Sequence, residues 1–336
     1  MESATVQEHR ARPPETTGSS PYPAARSLLG KYSLVVVLVV VSTGFAIADP
    51  LVFATLANAR TIASTNATIA LLALAAMLPL AVGQFDISVG FQFGLAQGLC
   101  AGLIVNEGLP AGAAIAVVLL AGLLIGTVNG LLVARLGLNS FIATLAVGIL
   151  VLGTTQWYTG DLTINGAMPD WFLKAGRVQL AGIPLPFVYV LVAAAVLWLA
   201  LEFTTWGRQV HAAGGNAKAA QLAGVPVARV TVQAFAGTGV LCAVAGVLSV
   251  SILGASSPVV GLGALLPAFA GAFLGATSIR PGRYNALGTV IAVYVVAIGI
   301  TGLRQHGALN YVEQYFYGLA LLVAVSLARL TSNRPT

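Results

Sequence analysis

Charge is what this chain has least of: 8% of its 336 residues are Asp, Glu, Lys or Arg, against about 25% in an ordinary soluble domain. So few charges cannot clothe a water-facing surface, which excludes a soluble globular fold. Cysteine is scarce too. Cys100 and Cys242 both fall inside apolar segments without metal-site spacing and read as small buried hydrophobes. The three histidines, His9, His211 and His306, are far apart in sequence, so no metal centre is expected. Acids number 10 against 16 bases, a net charge of +6. The bases are scattered between apolar runs and form no stripe, which argues against nucleic acid as a partner. A G-x-x-x-x-G-K-[ST] phosphate loop is missing, as are a nucleophile–histidine arrangement and an acid–base pair. The chain therefore reads as no enzyme, and as unable to hydrolyse ATP on its own.

What remains is apolar length. Hydrophobic residues make up 58% of the chain. They fall in ten runs, at about 34–48, 61–82, 91–106, 110–134, 141–158, 184–203, 228–253, 261–278, 286–303 and 312–330. Such runs approach the ~20 residues that cross a ~30 Å hydrocarbon core. The expected fold is an all-α polytopic membrane bundle of about ten transmembrane helices, with the membrane domain over 28–331. The third run is short and rich in Gly and Gln, which leaves room for a break or a re-entrant path. Residues 1–27 are polar and hold Pro13, Pro14, Pro21 and Pro23, as expected of a disordered cytoplasmic tail. Ala46-Ile47-Ala48 resembles a signal cleavage site.

The positive-inside rule decides between cleavage and retention. With the N-terminus in the cytoplasm and sides alternating, Arg10, Arg12, Arg26, Lys31, Arg135, Arg208, Lys218, Arg229, Arg280, Arg283, Arg329 and Arg334 fall inside. Arg60, Lys174, Arg177 and Arg304 fall outside. Removing the first run would flip every later loop and turn the basic loops outward. Ten spans with both ends cytoplasmic fit better. Of the two longer loops, 159–183 lies outside, and its Asp170-Trp171-Phe172 suggests an interfacial helix lying flat on the bilayer.

The other long loop, 204–227, lies inside. Asn216 is a good N-cap, 217–222 are strong helix formers, and Gly224 with Pro226 ends the segment. This predicts a two-turn helix, too short to be stable alone. Its small residues suit a groove on a partner protein, and equally an amphipathic connector resting on the membrane.

Between the second and third runs lies Gln84-Phe85-Asp86-Ile87-Ser88-Val89-Gly90. An ionised Asp at a membrane helix centre costs about 2.5–3.5 kcal/mol, so it needs a partner or water. Asp86 is a pathway or gate candidate; the bland alternative is an interfacial helix cap. Ser88 is placed to cap the helix that follows. Gly122, Gly126 and Gly130 share one helix face, as do Gly271 and Gly275, and read as close helix contacts.

Read in order, these motifs resemble the permease subunits of bacterial ABC sugar importers of the ribose/xylose/galactose type, over about 55–330. Asp86-Ile87-Ser88-Val89-Gly90 is similar to the family's I-D-L-S-V-G. Val128-Asn129-Gly130-Leu131-Leu132 with Phe141-Ile142-Ala143-Thr144-Leu145 is similar to its N-G-L-L … F-I-A-T-L. Gly207-Arg208 and Ala213-Gly214-Gly215-Asn216 with Ala219-Ala220 and Gly224-Val225 resemble its G-R … G-G-N-x2-A-A segment. Phe273-Leu274-Gly275-Ala276-Thr277-Ser278 and Leu287-Gly288-Thr289 resemble its L-G-G-T-S … G-T signature. The resemblance implies a type II-like importer permease. Its helix 217–223 would dock on a separate cytoplasmic ATPase subunit that binds the ATP, through Gly215, Asn216, Ala219, Ala220 and Gly224. A second permease chain would complete the pathway, and an extracytoplasmic sugar-binding protein would feed it. Asp86, Ser88 and Asn129 become pathway or gate candidates. The chain departs from the family at Gln84-Phe85 and at Arg280-Pro281-Gly282, where family members carry Gly-Gly. Importers of nucleosides or branched-chain amino acids, and a secondary transporter, are the competing readings.

Overall fold

The computed structural model describes residues 31–309 and 311–332; the expected tail 1–27 lies outside them. Every one of the ten apolar runs falls on helix. The helices are α1 (Ser33–Ala48), α2 (Leu56–Thr65), α3 (Ala67–Ala81), α4 (Ser88–Val105), α5 (Ala111–Ala134), α6 (Ser140–Thr159), α7 (Asp170–Arg177), α8 (Leu185–Phe203), α9 (Thr205–Gly215), α10 (Ala217–Leu222), α11 (Val227–Leu253), α12 (Val260–Gly275), α13 (Ala286–Gln305) and α14 (Tyr311–Ser332). Among the described residues α4, α5, α6, α8, α11 and α13 are long and apolar enough to cross a membrane. The bent pair α2–α3 makes a seventh if it is one span. The apolar helices α1 and α12 have 16 residues each, short of a straight crossing.

The third run, which left room for a break or a re-entrant path, is unbroken, and the break lies in the second. Helix α4 is continuous over 18 residues, whereas α2 and α3 meet at a 42° bend. At the bend the Asn66 side-chain amide donates to the Ile62 carbonyl, 2.9 Å away, and so competes with the helical ladder. Pro79 then brings α3 to its end, followed by Gly83 at φ +78°.

Helix α3 is buried at every residue but Ile69, and α4 at all but Leu99, Leu103 and Val105. Neither is amphipathic, as expected of helices enclosed by protein. Helices α5, α6 and α8 instead expose Leu120, Leu124, Ile149, Leu150 and Val192, a face suited to lipid. Among the described residues sheet is limited to short pairs. Strand β1 (Ile164–Asn165) pairs antiparallel with β4 (Ala255–Ser256), and β2 (Gln179–Leu180) with β3 (Ile183–Pro184). A helix, α7, does form at Asp170–Arg177, but its aromatics part company. Trp171 is exposed, while Phe172 is buried in a cluster with Ala243 and Val250 of α11. The Ser251 hydroxyl donates to the Phe172 carbonyl and seats α7 on α11.

Helices α5 and α11 cross at backbone distance. A Cβ at Gly122 or Gly126 would overlap the carbonyl oxygen of Gly239 or Phe235, and one at Gly130 would lie 2.7 Å from Val232 Cα. The four-residue glycine spacing therefore builds a close crossing.

Candidate functional site

Three of the residues singled out in the sequence meet in the core. Asp86, Ser88 and Asn129 are all buried, and Gln92 joins them. Ser88 is the hub. Its hydroxyl donates to Asp86 Oδ1 and accepts from Gln92 Nε2 and from Asn129 Nδ2, each at 2.7 Å. Its backbone N–H also donates to Asp86 Oδ1, at 2.9 Å. Ser88 is thus the first helical residue rather than the cap, and Asp86 secures the helix start. The hydroxyl has one proton and two lone pairs, and all are in use. Three oxygens are left without partners: Asp86 Oδ2, Gln92 Oε1 and Asn129 Oδ1. The cluster has a surplus of acceptors and one acid. Among the described residues the ion pairs are Arg280–Glu202 and Arg304–Glu313, so no cation within ion-pair distance balances Asp86.

Gln92 was missed in the sequence, although its spacing of four from Ser88 on one helix face was available as a signal. Helix α4 carries a second such pair, Gln97 Nε2 donating to Ser249 Oγ of α11 at 2.7 Å. Backbone bonds hold the link between α3 and α4 to α6. Phe85 N–H donates to Ser140 Oγ at 3.1 Å and Ile87 N–H to Thr144 Oγ1 at 3.0 Å. The cavity beside Gln92 is only about 10 Å³, bounded by Leu95, Val118 and Gly122, room for no more than one water. A separate groove of about 240 Å³ is lined by apolar side chains, Phe85, Ile87, Leu265, Phe269 and Phe273 among them.

The acceptor surplus makes a prediction. Asp86→Ala leaves the Ser88 N–H and hydroxyl without their acceptor, a loss of about 1–3 kcal/mol for buried groups. Asp86→Asn keeps one acceptor oxygen, adds donors and removes the buried charge, so it is expected to match or exceed native stability. Thermal unfolding followed with a fluorogenic thiol dye, which reports exposure of the buried Cys100 and Cys242, separates the two variants. Equal destabilisation by both would contradict the assignment.

The predicted coupling residues form a second group, at the 204–227 loop. Asn216 caps α10, its side chain accepting from the Ala219 N–H at 3.0 Å. Gly224 takes φ +83° and ends it. Gly215, Asn216, Lys218, Ala219 and Leu222 are exposed, Leu222 at 88%. Ala220 is 6% exposed and faces inward, so it supports the fold of the loop rather than its outer face. Leu222 is the outward apolar residue that the sequence reading passed over. It also passed over α9, whose Gly207, Gly214 and Gly215 are poor helix formers. Thr204 caps α9 by accepting from the Gly207 N–H at 3.1 Å, and buried Val210 and Ala213 anchor it. At the root of this arm Glu202, its side chain 8% exposed, pairs with Arg280 at 2.7 Å.

Known proteins match this chain over both groups. The family model described as "Branched-chain amino acid transport system / permease component" matches residues 58–325. The chain belongs to that permease family. Its relatives include the ribose import permease protein of Bacillus subtilis, 33% identical over 90% of this chain and 92% of the relative. The ribose import permease protein of Escherichia coli K12 is 29% identical over 89% and 93%. An autoinducer 2 import system permease protein of Salmonella paratyphi B is 31% identical over 79% and 80%. No solved structure matches significantly. The match to this permease family takes in Asp86, Ser88, Gln92, Asn129 and the whole 204–227 loop, while α1 precedes it. With its apolar helices, the permease is a multi-pass membrane protein.

Proposed function

We propose that this permease is the transmembrane subunit of an ATP-driven ABC importer for a monosaccharide or related polyol in a bacterial cytoplasmic membrane. The carrying observation is α10, a capped two-turn helix with Ala219 and Leu222 turned outward, on a chain with no phosphate loop of its own. Energy must then come from outside, through a docking element of this kind. Relatives named for ribose import favour a sugar. The unpartnered oxygens of Asp86, Gln92 and Asn129 suit hydroxyl donors once the helices part.

In this reading ten helices cross, both termini are cytoplasmic, and a second permease chain completes the pathway. An extracytoplasmic sugar-binding protein delivers the solute. The chain itself carries no cofactor, and ATP stays on the ATPase subunit. Closure of that subunit would push α10, and ATP must favour one state by a few kcal/mol to shift the population. Gly215, Asn216 and Ala219 with Leu222 form the contact. Ala220 and Gly224 shape it, and Asp86, Ser88, Gln92 and Asn129 sit at the gate. The autoinducer 2 relative and the family's description keep other small solutes in the comparison.

The test is co-purification with candidate ATPase and binding-protein subunits, then reconstitution and ATP hydrolysis across sugars, autoinducer 2, nucleosides and branched-chain amino acids. Stimulation by a sugar-loaded binding protein is expected. Uptake that persists without an ATPase subunit would refute the reading, as would labelling of a Lys218→Cys variant from the extracellular side.

A further inference from the structure

The coupling arm and the buried polar cluster lie on different elements, and a backbone contact joins them. Gly214, at the end of α9, lies directly against the turn that follows α3. A Cβ on Gly214 would overlap the Ala81 carbonyl oxygen and lie 3.0 Å from its carbon and 3.5 Å from Gly83 N. From the other side, a Cβ on Gly83 would lie 3.6 Å from both Gly214 Cα and Gly214 O. Val210 of α9 packs in the same core cluster as Leu80, Ala81 and Val82. Three residues past Gly83 comes Asp86, and Gly214 itself precedes Gly215-Asn216 at the root of α10. The chain between Gly83 and Ser88 has no slack, because Phe85 and Ile87 are bonded to Ser140 and Thr144 and Ser88 is held by Asp86. A push on α10 therefore reaches the Ala81–Gly83 turn through backbone contact, and the turn carries it into Asp86 and Ser88.

We infer that Gly214 is a positioning residue: its contact with the Ala81–Gly83 turn transmits movement of the docking helix to the Asp86–Ser88 gate. This rests on the docking reading of α10 given above. Glycine is needed at 214 because a Cβ there would overlap the Ala81 carbonyl, and Gly83 supplies the positive φ of the turn; the contact leaves no side chain that could rotate and absorb the displacement. Gly214→Ala forces the arm off the turn while leaving Asn216, Ala219 and Leu222 in place.

The experiment uses the full importer assembled with its ATPase subunit, with Phe85→Cys as reporter. Phe85 is partly exposed, whereas the native Cys100 and Cys242 are buried. Three quantities are read: binding of the ATPase subunit, the change in thiol labelling at position 85 on adding ATP, and solute moved per ATP hydrolysed. Gly214→Ala is expected to bind the ATPase within about twofold of native, to lose the ATP-dependent labelling change, and to lower the transport-to-hydrolysis ratio by about tenfold, a 1.4 kcal/mol loss of coupling. Should Gly214→Ala fail to fold, Gly83→Asn makes the same test from the turn, since Asn tolerates positive φ and adds bulk toward Gly214. A merely structural contact would change folding but not the ratio in folded protein. A folded variant with native labelling and native ratio overturns the inference while the docking reading stands. Failure of the native chain to bind the ATPase overturns both.

Discussion

Gly239→Val is expected to leave little folded permease in the membrane and to lower the stability of what remains. A Cβ at this position would overlap the Gly122 carbonyl oxygen and lie 2.8 Å from its carbon and 3.1 Å from Gln92 Oε1. The Gly122 atoms are backbone and cannot rotate aside. Helices α5 and α11 would have to separate along the crossing that Gly122, Gly126 and Gly130 build. Overpacking a tight core costs about 1–3 kcal/mol, and more where backbone must move. Lipid supplies no hydrophobic drive to bring the helices back together. The upper end of that range, about 3 kcal/mol or more, is therefore expected. Membrane-inserted yield and the thiol-dye unfolding midpoint measure it, with Cys242 one turn from the substitution. Gly153→Val, at a site with nothing within 4 Å, is expected to behave as native. Native stability of Gly239→Val would mean that the two helices do not cross there.

Leu222→Glu combined with Ala219→Glu is expected to weaken ATPase binding on the order of 100-fold, the loss of a small interface hot spot. Both side chains are exposed, so folding should be untouched and the unfolding midpoint unchanged. Ala220→Glu is the instructive contrast. It places a charge at an inward position and should lower the midpoint before docking is even tested. Pull-down of the ATPase subunit by the double variant, at native strength, would remove α10 from the energy-coupling role.

How much could be read beforehand follows from the kind of signal. Apolar runs located the membrane helices because lipid and protein interior alike demand length without charge. The ends of α10 were legible because Asn216 and Gly224 act locally, through a cap and a positive φ. Helix α9 was hidden because its glycines argue against helix, and tertiary contacts of Val210 and Ala213 overrule them. The bend at Asn66 was hidden because a polar side chain bonding its own preceding turn leaves no gap in hydropathy. Asp86, Ser88 and Asn129 were picked out one by one, but their meeting around one hydroxyl depends on the α4–α5 packing, and Gln92 was lost among the glycines of its run. Ala219 and Ala220 are neighbours of identical chemistry, so only three-dimensional packing tells the outward one from the inward.

The enclosure of α3 and α4 also sets an order of events at the ribosome. Both are synthesised before α11 and α12, the neighbours that later wall them off. Until residues 227–275 emerge, Gln97 has no Ser249 and the polar cluster is uncovered. Two helices made early in the nascent permease therefore wait for much later ones to reach their final surroundings. A chain arrested before residue 227 carries α4, with its Ser88, Gln92 and Gln97, without the neighbours that cover it, a form that quality-control proteases can recognise.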